Sequence, residues 1–392
     1  MGRYNFDKIV DRKHTKSLKY DFAVQRGKPA DVLPFWVADM DFEIPSELKQ
    51  VLLDRVNHGI FGYTESDVEY FNILKEWFAN RFNWNIDKKW LVKTPGVVFA
   101  LAMAVRAFTK EGEGVLINQP VYYPFSMVID DNDRRLINVP LVKGDEKYTI
   151  DFEGIERAII EENVTLFLLC NPHNPVGHVW TLEEMDRLFS ICQQHKVLII
   201  SDEIHQDLIT GLTPFTSALT VSNGAYTDKL IAMSSLSKSF NIASLHHAEV
   251  IIPNEELRNH YNAFKALVYH TDSDVLAEAA STAAYTHPEA EAWLMDLLNV
   301  VKENYDYMCN KLHATLPELR ISPMDGTYLA WIDFSAYLKP EEMHDFFENK
   351  CGIAPSFGEW FGGESYATFV RLNLATSLEN IKIATTAILQ NI

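Results

Sequence analysis

Three short stretches place reactive side chains directly after apolar runs. Ser201-Asp202-Glu203-Ile204-His205 follows Val197-Leu-Ile-Ile200, and Ser234-Ser235-Leu236-Ser237-Lys238 follows Leu230-Ile-Ala-Met233. Asn171-Pro172-His173-Asn174-Pro175-Val176-Gly177 follows Leu166-Phe-Leu-Leu-Cys170. A lysine set among hydroxyls and apolar groups loses its proton more easily than one in water and becomes a nucleophile. Hydroxyls beside it suit a phosphate, and a carboxylate one strand away can hold a pyridine nitrogen protonated, which makes that ring an electron sink. The combined chemistry is that of a Schiff-base site. Arg371 adds a further demand, because a lone cation in the apolar strand pattern Phe369-Val-Arg-Leu-Asn-Leu374 is costly unless it meets an anion. That anion is either an internal carboxylate or one belonging to a ligand.

A lone strand-end Asp or Lys is ordinarily a cap or a solvated charge, so the weight falls on whatever brings the three stretches together. The apolar runs at 115–117, 166–170, 197–201, 230–233 and 249–252 are short and continuous, as expected of strands covered on both faces of a parallel sheet. In such a sheet, ligands sit outside the carboxyl ends of the strands. Between two of the runs, Thr181-x-x-Glu184 is a capping box opening a helix whose apolar stripe is Leu182, Met185, Leu188, Phe189 and Cys192. The predicted class is α/β with a largely parallel sheet. Past residue 254 the pattern changes to long helices at 255–269, 273–286 and 289–316. Strands at 328–332 and 368–373 and helices at 340–349 and 377–390 then suggest a smaller α+β domain. The expected division is a segment joining the small domain (1–45), a large domain (46–287) and the small domain (288–392).

Composition limits the alternatives. With 392 residues, and about 150 per domain, two or three domains are expected. Lys plus Arg is 35 and Asp plus Glu is 54, giving −19, which argues against a nucleic-acid or anionic-membrane surface. The four cysteines, at 170, 192, 309 and 351, have no metal-knuckle or disulfide-framework spacing, so a reducing, cytoplasmic setting is expected and no metal site is read. The start lacks an apolar signal region, and position 6 is Phe where myristoylation wants Ser or Thr. No run approaches the roughly 20 apolar residues of a membrane span.

On five stretches the chain resembles a fold-type-I pyridoxal-phosphate enzyme of the class I/II aminotransferase group, and within it the cystathionine β-lyase (C–S lyase) branch often called MalY/PatB. The stretches are Leu33-Pro-Phe-Trp-Val-Ala-Asp-Met-Asp-Phe42, Asn171–Gly177, Ser201–His205, Gly326-Thr-Tyr-Leu-Ala-Trp-Ile-Asp333 and Val370-Arg-Leu-Asn373. The resemblance implies a large domain with a mostly parallel central sheet, a smaller α+β domain, and pyridoxal 5′-phosphate as cofactor. It implies that Lys238 carries the cofactor covalently and moves the substrate Cα proton, that Asp202 pairs with the pyridinium nitrogen, and that Asn174 donates to the phenolic oxygen, with His205 near it. Tyr122 would stack on the ring, a contact worth about 1 kcal/mol. Gly96 and the amides of Val97 and Val98, at a helix start, would receive the phosphate together with Ser235 and Ser237. Tyr63 would reach the phosphate from the neighbouring subunit, making a homodimer with shared active sites. Arg371 would grip the substrate α-carboxylate bidentately, with Asn174 and Ala38 also on the substrate side. Tyr123 is read as structural, and Trp36, Trp360 and Phe361 as an apolar wall for a thioether arm.

Three positions depart from the pattern. Ser244 and His246 stand where many aminotransferases carry Gly and Arg, and His178 stands where the branch commonly has Arg. The implied reaction is α,β-elimination from L-cystathionine, releasing homocysteine, pyruvate and ammonia, and from L-cysteine, releasing hydrogen sulfide. An aminotransferase on the same scaffold is the alternative, and a non-catalytic regulatory protein a distant third.

Overall fold

The computed structural model describes residues 4–144, 147–269 and 273–392; the first three residues of the expected N-terminal segment lie outside it. Seven strands form the principal sheet, in the spatial order Leu91–Thr94, Ala248–Ile251, Leu230–Ser234, Leu198–Asp202, Val164–Cys170, Gly114–Ile117, Arg135–Asn138. Every neighbouring pair is parallel except the two made by Ala248–Ile251, which runs antiparallel to both of its neighbours. Because the sheet is covered on both faces, its central strands are mostly apolar and buried nearly residue after residue, with Thr165 the exposed exception and Ser201, Asp202 and Ser234 as polar ends. The fold is α/β, as expected, but the antiparallel direction of Ala248–Ile251 was not. Strand direction leaves no mark on a run of apolar residues.

Helix Val97–Phe108 shows how sequence period becomes packing. Val97, Ala100, Leu101, Ala104 and Val105 recur at helical spacing, and all are buried in one core cluster with the sheet strands. Helix Leu182–Gln194 opens with the expected capping box, Thr181 Oγ1 accepting from the Glu184 N–H and the Glu184 carboxylate accepting from the Thr181 N–H. Its buried stripe begins one turn later than predicted, since Leu182 is 49% exposed and Met185, Leu188, Phe189 and Cys192 carry the contact.

A four-stranded antiparallel sheet follows, ordered Arg320–Ile321, Leu329–Asp333, Phe369–Asn373, Ser356–Phe357. The 28-residue helix Pro288–Thr315 and the final helix Leu378–Asn391 pack together beside it. The expected helix at 340–349 is helical throughout, opening as a 3-10 turn at Pro340–Glu342 and closing as a π-helical turn, Asp345–Lys350. The N-terminal segment is tied down at several points. Leu33–Pro34 pairs in parallel with Ile353–Ala354, and the Asp41 N–H donates to the Ala375 carbonyl. The Phe6 ring packs on Phe42 and Trp293. This routing carries residues 36–41 across the carboxyl edge of the large sheet.

Candidate active site

Two cavities meet at Lys238. The first, of about 440 Å³, is bounded by Gly96–Phe99, Tyr122, Cys170, Asn174, Asp202, His205, Ser237, His246 and His247. The second, of about 570 Å³, is bounded by Leu18, Arg26, Trp36, Val37, Tyr123, Ser356, Trp360 and Arg371. Ala38, Tyr122 and Lys238 line both.

Lys238 follows the Leu230–Ser234 strand, and its Nζ donates to the Ala38 carbonyl at 2.6 Å. Tyr328 donates to the same oxygen at 2.8 Å. Burial draws the lysine down to about 8, with the Arg371 charge acting the same way and Asp39 and Asp202 opposing. A substantial fraction of the amine is therefore neutral near pH 8. The carbonyl that parks Lys238 is itself held in place. Val37, a β-branched residue, sits at φ 48°, a conformation that costs about 1–3 kcal/mol. Asn373 Nδ2 compensates by donating to the carbonyls on either side, Val37 O at 2.8 Å and Asp39 O at 2.6 Å.

Asp202 closes its strand with a buried carboxylate that accepts from the Ile204 N–H at 3.1 Å. Desolvation pushes it up to about 7, so a cationic partner in the cavity is what would keep it ionised. Asn174 gives its Oδ1 to Arg371, leaving its NH2 group without a protein partner among the described residues. His205 is buried and neutral, pushed down to about 3 by burial and by the Lys238 and Arg371 charges. Its Nδ1 has no partner among the described residues, and its ring lies edge-on to Tyr328. Tyr122 lines the same cavity, its backbone N–H fastened to the Asn174 carbonyl at 2.9 Å. A ring with a protonatable nitrogen and a phenolic oxygen matches this set of unmet polar groups.

Gly96 is the N-cap of the Val97–Phe108 helix at φ 141°, where only glycine is unstrained, and a Cβ there would enter open space. The first amides of that helix, at Val97 and Val98, lie at the cavity wall with Ser237. Ser235 is placed otherwise than expected. Its hydroxyl donates to the His247 carbonyl at 2.6 Å and accepts from the Ser237 N–H, so it braces the turn and does not line the cavity. Tyr63 lines neither cavity of its own chain and is 98% exposed.

Arg371 is buried, its charge disfavoured by that burial. It donates to Asn174 Oδ1 and to Ser356 Oγ, each at 3.0 Å, and its guanidinium lies over the Phe361 ring. Among the described residues no carboxylate pairs with it, and its Nε is buried without a partner. The internal salt bridge is therefore absent there, and the cation faces a cavity. Trp36 and Trp360 line that cavity as expected, whereas Phe361 lies beneath the guanidinium. Tyr123, read as structural, lines the cavity and touches Trp360 edge-on. Sequence reasoning missed Ser356, Tyr328 and Asn373, although the last two lie in stretches it singled out.

The departures acquire physical reasons. His178 bonds the capping-box carboxylate of Glu184 at 3.2 Å and packs on Trp180, so it serves the helix start. Ser244 adopts no positive φ, so that position does not need glycine here.

The family model for aminotransferase class I and II matches residues 30–388. The chain belongs to the class I and II aminotransferase family. It is 36% identical to cystathionine beta-lyase PatB of Bacillus subtilis (strain 168), over 96% of this chain and 97% of that protein. It is 34% identical to protein MalY of Escherichia coli (strain K12), over 94% of each. Cystalysin from Treponema denticola, whose crystal structure contains a pyridoxal 5′-phosphate cofactor, superposes with a TM-score of 0.94 at 33% identity, covering 99% of this chain and 98% of that one. Membership of the family gives the fold-type-I architecture and a pyridoxal-phosphate-dependent lineage, and the relatives include a cystathionine beta-lyase and the pyridoxal-phosphate-bound C–S lyase of Staphylococcus hominis.

Proposed function

We propose that this protein is a pyridoxal-phosphate-dependent carbon–sulfur β-lyase acting on L-cystathionine and on L-cysteine. The observation that carries the reading is Lys238 standing between two cavities. One is ringed by unmet partners for a pyridine cofactor, and the other is headed by Arg371, a buried cation that no carboxylate among the described residues pairs. Lys238 would hold the cofactor covalently, with Asp202 at its ring nitrogen, Asn174 and His205 at its phenolic oxygen, Tyr122 on its face, and Gly96–Val98 with Ser237 at its phosphate. Bound there, pyridoxal phosphate supplies a sink for the electrons released at the substrate Cα.

The chain's own residues do the rest. Arg371 fixes the α-carboxylate, which aims the Cα–H bond at Lys238. Lys238, once the substrate amine has displaced it from the cofactor, would take the Cα proton at Nζ as general base near neutral pH, its amine lowered to about 8 by burial. The Cβ–S bond then breaks and sulfur leaves as thiolate. The remaining aminoacrylate reacts with water to give pyruvate and ammonia. Trp36 and Trp360 offer an apolar wall for the thioether arm.

A homodimer with shared sites accords with the exposure of Tyr63 beside the exposed Ile60 and Phe61, since a tyrosine reaching a phosphate must find it in another subunit. Four unpaired cysteines accord with a reducing, cytoplasmic setting. Among the described residues no helix is long and apolar enough to cross a membrane. The test is incubation with L-cystathionine without any 2-oxo acid, measuring thiol and pyruvate together. Equimolar release supports the lyase. Product that appears only when a 2-oxo acid is added would make the protein an aminotransferase.

A further inference from the structure

One buried ion pair at the rim of the first cavity takes no part in the chemistry above. Glu249 is fully buried, and its Oε1 is reached by His247 Nε2 at 2.8 Å, Tyr70 Oη at 2.7 Å and Tyr285 Oη at 3.2 Å. Tyr70 Oη is also 2.8 Å from His247 Nε2, which closes a triangle. Among the described residues His247 alone makes an ion pair with this carboxylate. Burial favours a neutral carboxyl, yet His247 and Tyr70 hold Glu249 below the usual range. His247 Nε2 is the nitrogen partner of this carboxylate, and the Tyr70 and Tyr285 hydroxyls and the nearby Lys93 charge support it as well.

The position of His247 gives that pair a direction. It precedes the Ala248–Ile251 strand, whose Ala248 lies opposite Thr94 and whose Glu249 lies opposite Ser234. His247 therefore stands between the two loops that leave those strands, 95–98 and 235–238. Ser235 pins its carbonyl. With Nε2 engaged by Glu249, Nδ1 has no partner among the described residues, and His247 lines the cavity beside Ser237 and Gly96–Val98. The strand bearing Asp202 lies two places away in the sheet, on the order of 10 Å. The groups proposed for the two ends of one cofactor are thus kept apart. Lys238 is the single Lys or Arg lining this cavity among the described residues, and it is committed to the reacting carbon.

We propose that His247, held as an imidazolium by Glu249 and Tyr70, binds the cofactor phosphate through Nδ1–H, resting on the pyridoxal phosphate reading above. His247 is the ligand, and Glu249 and Tyr70 are positioning residues. They spend the Nε2 proton so that the other edge of the ring faces the anion.

The experiment uses the full chain stripped of cofactor. Equilibrium titrations with pyridoxal phosphate and with inorganic phosphate are compared for the wild type, His247→Ala, His247→Asn and Glu249→Gln. A lost charge-assisted hydrogen bond weakens binding by about 10- to 100-fold. That loss is expected for both probes in His247→Ala, with partial recovery in His247→Asn and a smaller loss in Glu249→Gln. The ³¹P resonance of the bound phosphate should shift in all three variants. In the wild type alone, inorganic phosphate should move the His247 Nδ1 resonance while Nε2 stays bonded to Glu249, which keeps the question open to test if a variant misfolds. Unchanged affinity for both probes in His247→Ala, or a wild-type Nδ1 resonance indifferent to phosphate, overturns the proposal. Phosphate binding through His247 in a protein without lyase activity would leave it standing and remove only the assigned reaction.

Discussion

Arg371 Nη1 donates to Asn174 Oδ1 at 3.0 Å, joining the four-stranded sheet to the turn after Val164–Cys170. The proposed substrate-carboxylate cation and the proposed donor to the cofactor's phenolic oxygen are therefore one hydrogen-bonded unit. Arg371 takes the amide oxygen, which leaves the NH2 group to face the first cavity. A change at either residue must be felt in both cavities.

Arg371→Lys keeps the charge but loses the planar fork that can hold Asn174, Ser356 and a carboxylate together. The expected result is a fall in kcat/KM of at least about 10- to 100-fold, mostly through KM, from the lost charge-assisted bonds. Because Asn174 loses its anchor, the visible absorption band of the bound cofactor should also shift. A variant with wild-type KM would remove Arg371 from the substrate site.

Lys238→Ala should abolish the visible band of lysine-bound cofactor and nearly all turnover. In the wild-type apoprotein, the rate of cofactor capture should climb with pH through a midpoint near 8, where burial has placed this amine. The sign follows from the chemistry, since only the neutral amine attacks a carbonyl. Stopped-flow capture rates between pH 6 and 10 would show it, and a midpoint above 10 would mean that Lys238 is an ordinary exposed lysine.

Asp202 sets stability against function. Its folded-state pKa is raised to about 7, so in the apoprotein the buried carboxylate is increasingly unfavourable as pH rises from about 4 to 7, and the penalty is complete above that. Asp202→Asn removes the penalty. The apo variant should gain on the order of 2–4 kcal/mol over the wild type at pH 8, and little at pH 4. Turnover should meanwhile collapse, because the ring nitrogen has lost its anion. Equal unfolding midpoints at both pH values would show that the carboxylate is not strained by its burial.

How much of this was written in the sequence depends on the physical signal each feature leaves. Strands buried on both faces are continuous apolar runs, so those ending near Cys170, Asp202 and Ser234 were legible, and with them Asn174, Asp202 and Lys238. Two strands of the same sheet were not. Arg135–Asn138 is an edge strand with polar, exposed ends. In Leu91–Thr94, Lys93 interrupts the pattern because it joins Glu278, Ser66 and the Tyr70 ring. The direction of a hydroxyl leaves no trace either. Ser235 and Ser237 look alike in the chain, and only the fold turns one toward His247 and the other toward the cavity.

Tyr63 gives the most direct test of a shared site. Its own cavity does not include it, so a subunit lacking Lys238 can still lend Tyr63 to a partner that has Lys238. Mixed dimers of Tyr63→Phe and Lys238→Ala chains contain one site with both residues intact. Provided Tyr63→Phe is itself severely impaired, refolded mixtures should recover up to about a quarter of wild-type activity, as random pairing of two dead parents allows. No recovery would confine each site to a single chain.

The last prediction concerns the clamp that parks Lys238. Asn373 Nδ2 holds the carbonyls of Val37 and Asp39, and its Oδ1 accepts from the Ala375 N–H at 2.9 Å. The two Nδ2 bonds flank Ala38 beside Val37 at φ 48°, and the Ala375 bond holds the amide that makes them, so together they keep a β-branched residue where it would not otherwise stay. Asn373→Ala frees the segment to relax and leaves buried backbone groups unmatched, at a cost of about 2–4 kcal/mol. As the Ala38 carbonyl moves, it loses its 2.6 Å bond to Lys238, and the amine is no longer aimed between the two cavities. The variant should therefore unfold at lower denaturant and show reduced kcat with KM little changed, because Arg371 is untouched. Val37→Gly at the strained position should behave differently: glycine accepts this φ without strain, so Val37→Gly in the Asn373→Ala background should restore part of the lost kcat. Failure of that rescue would show that Asn373 matters only for stability, and that the strain at Val37 has no bearing on where Lys238 points.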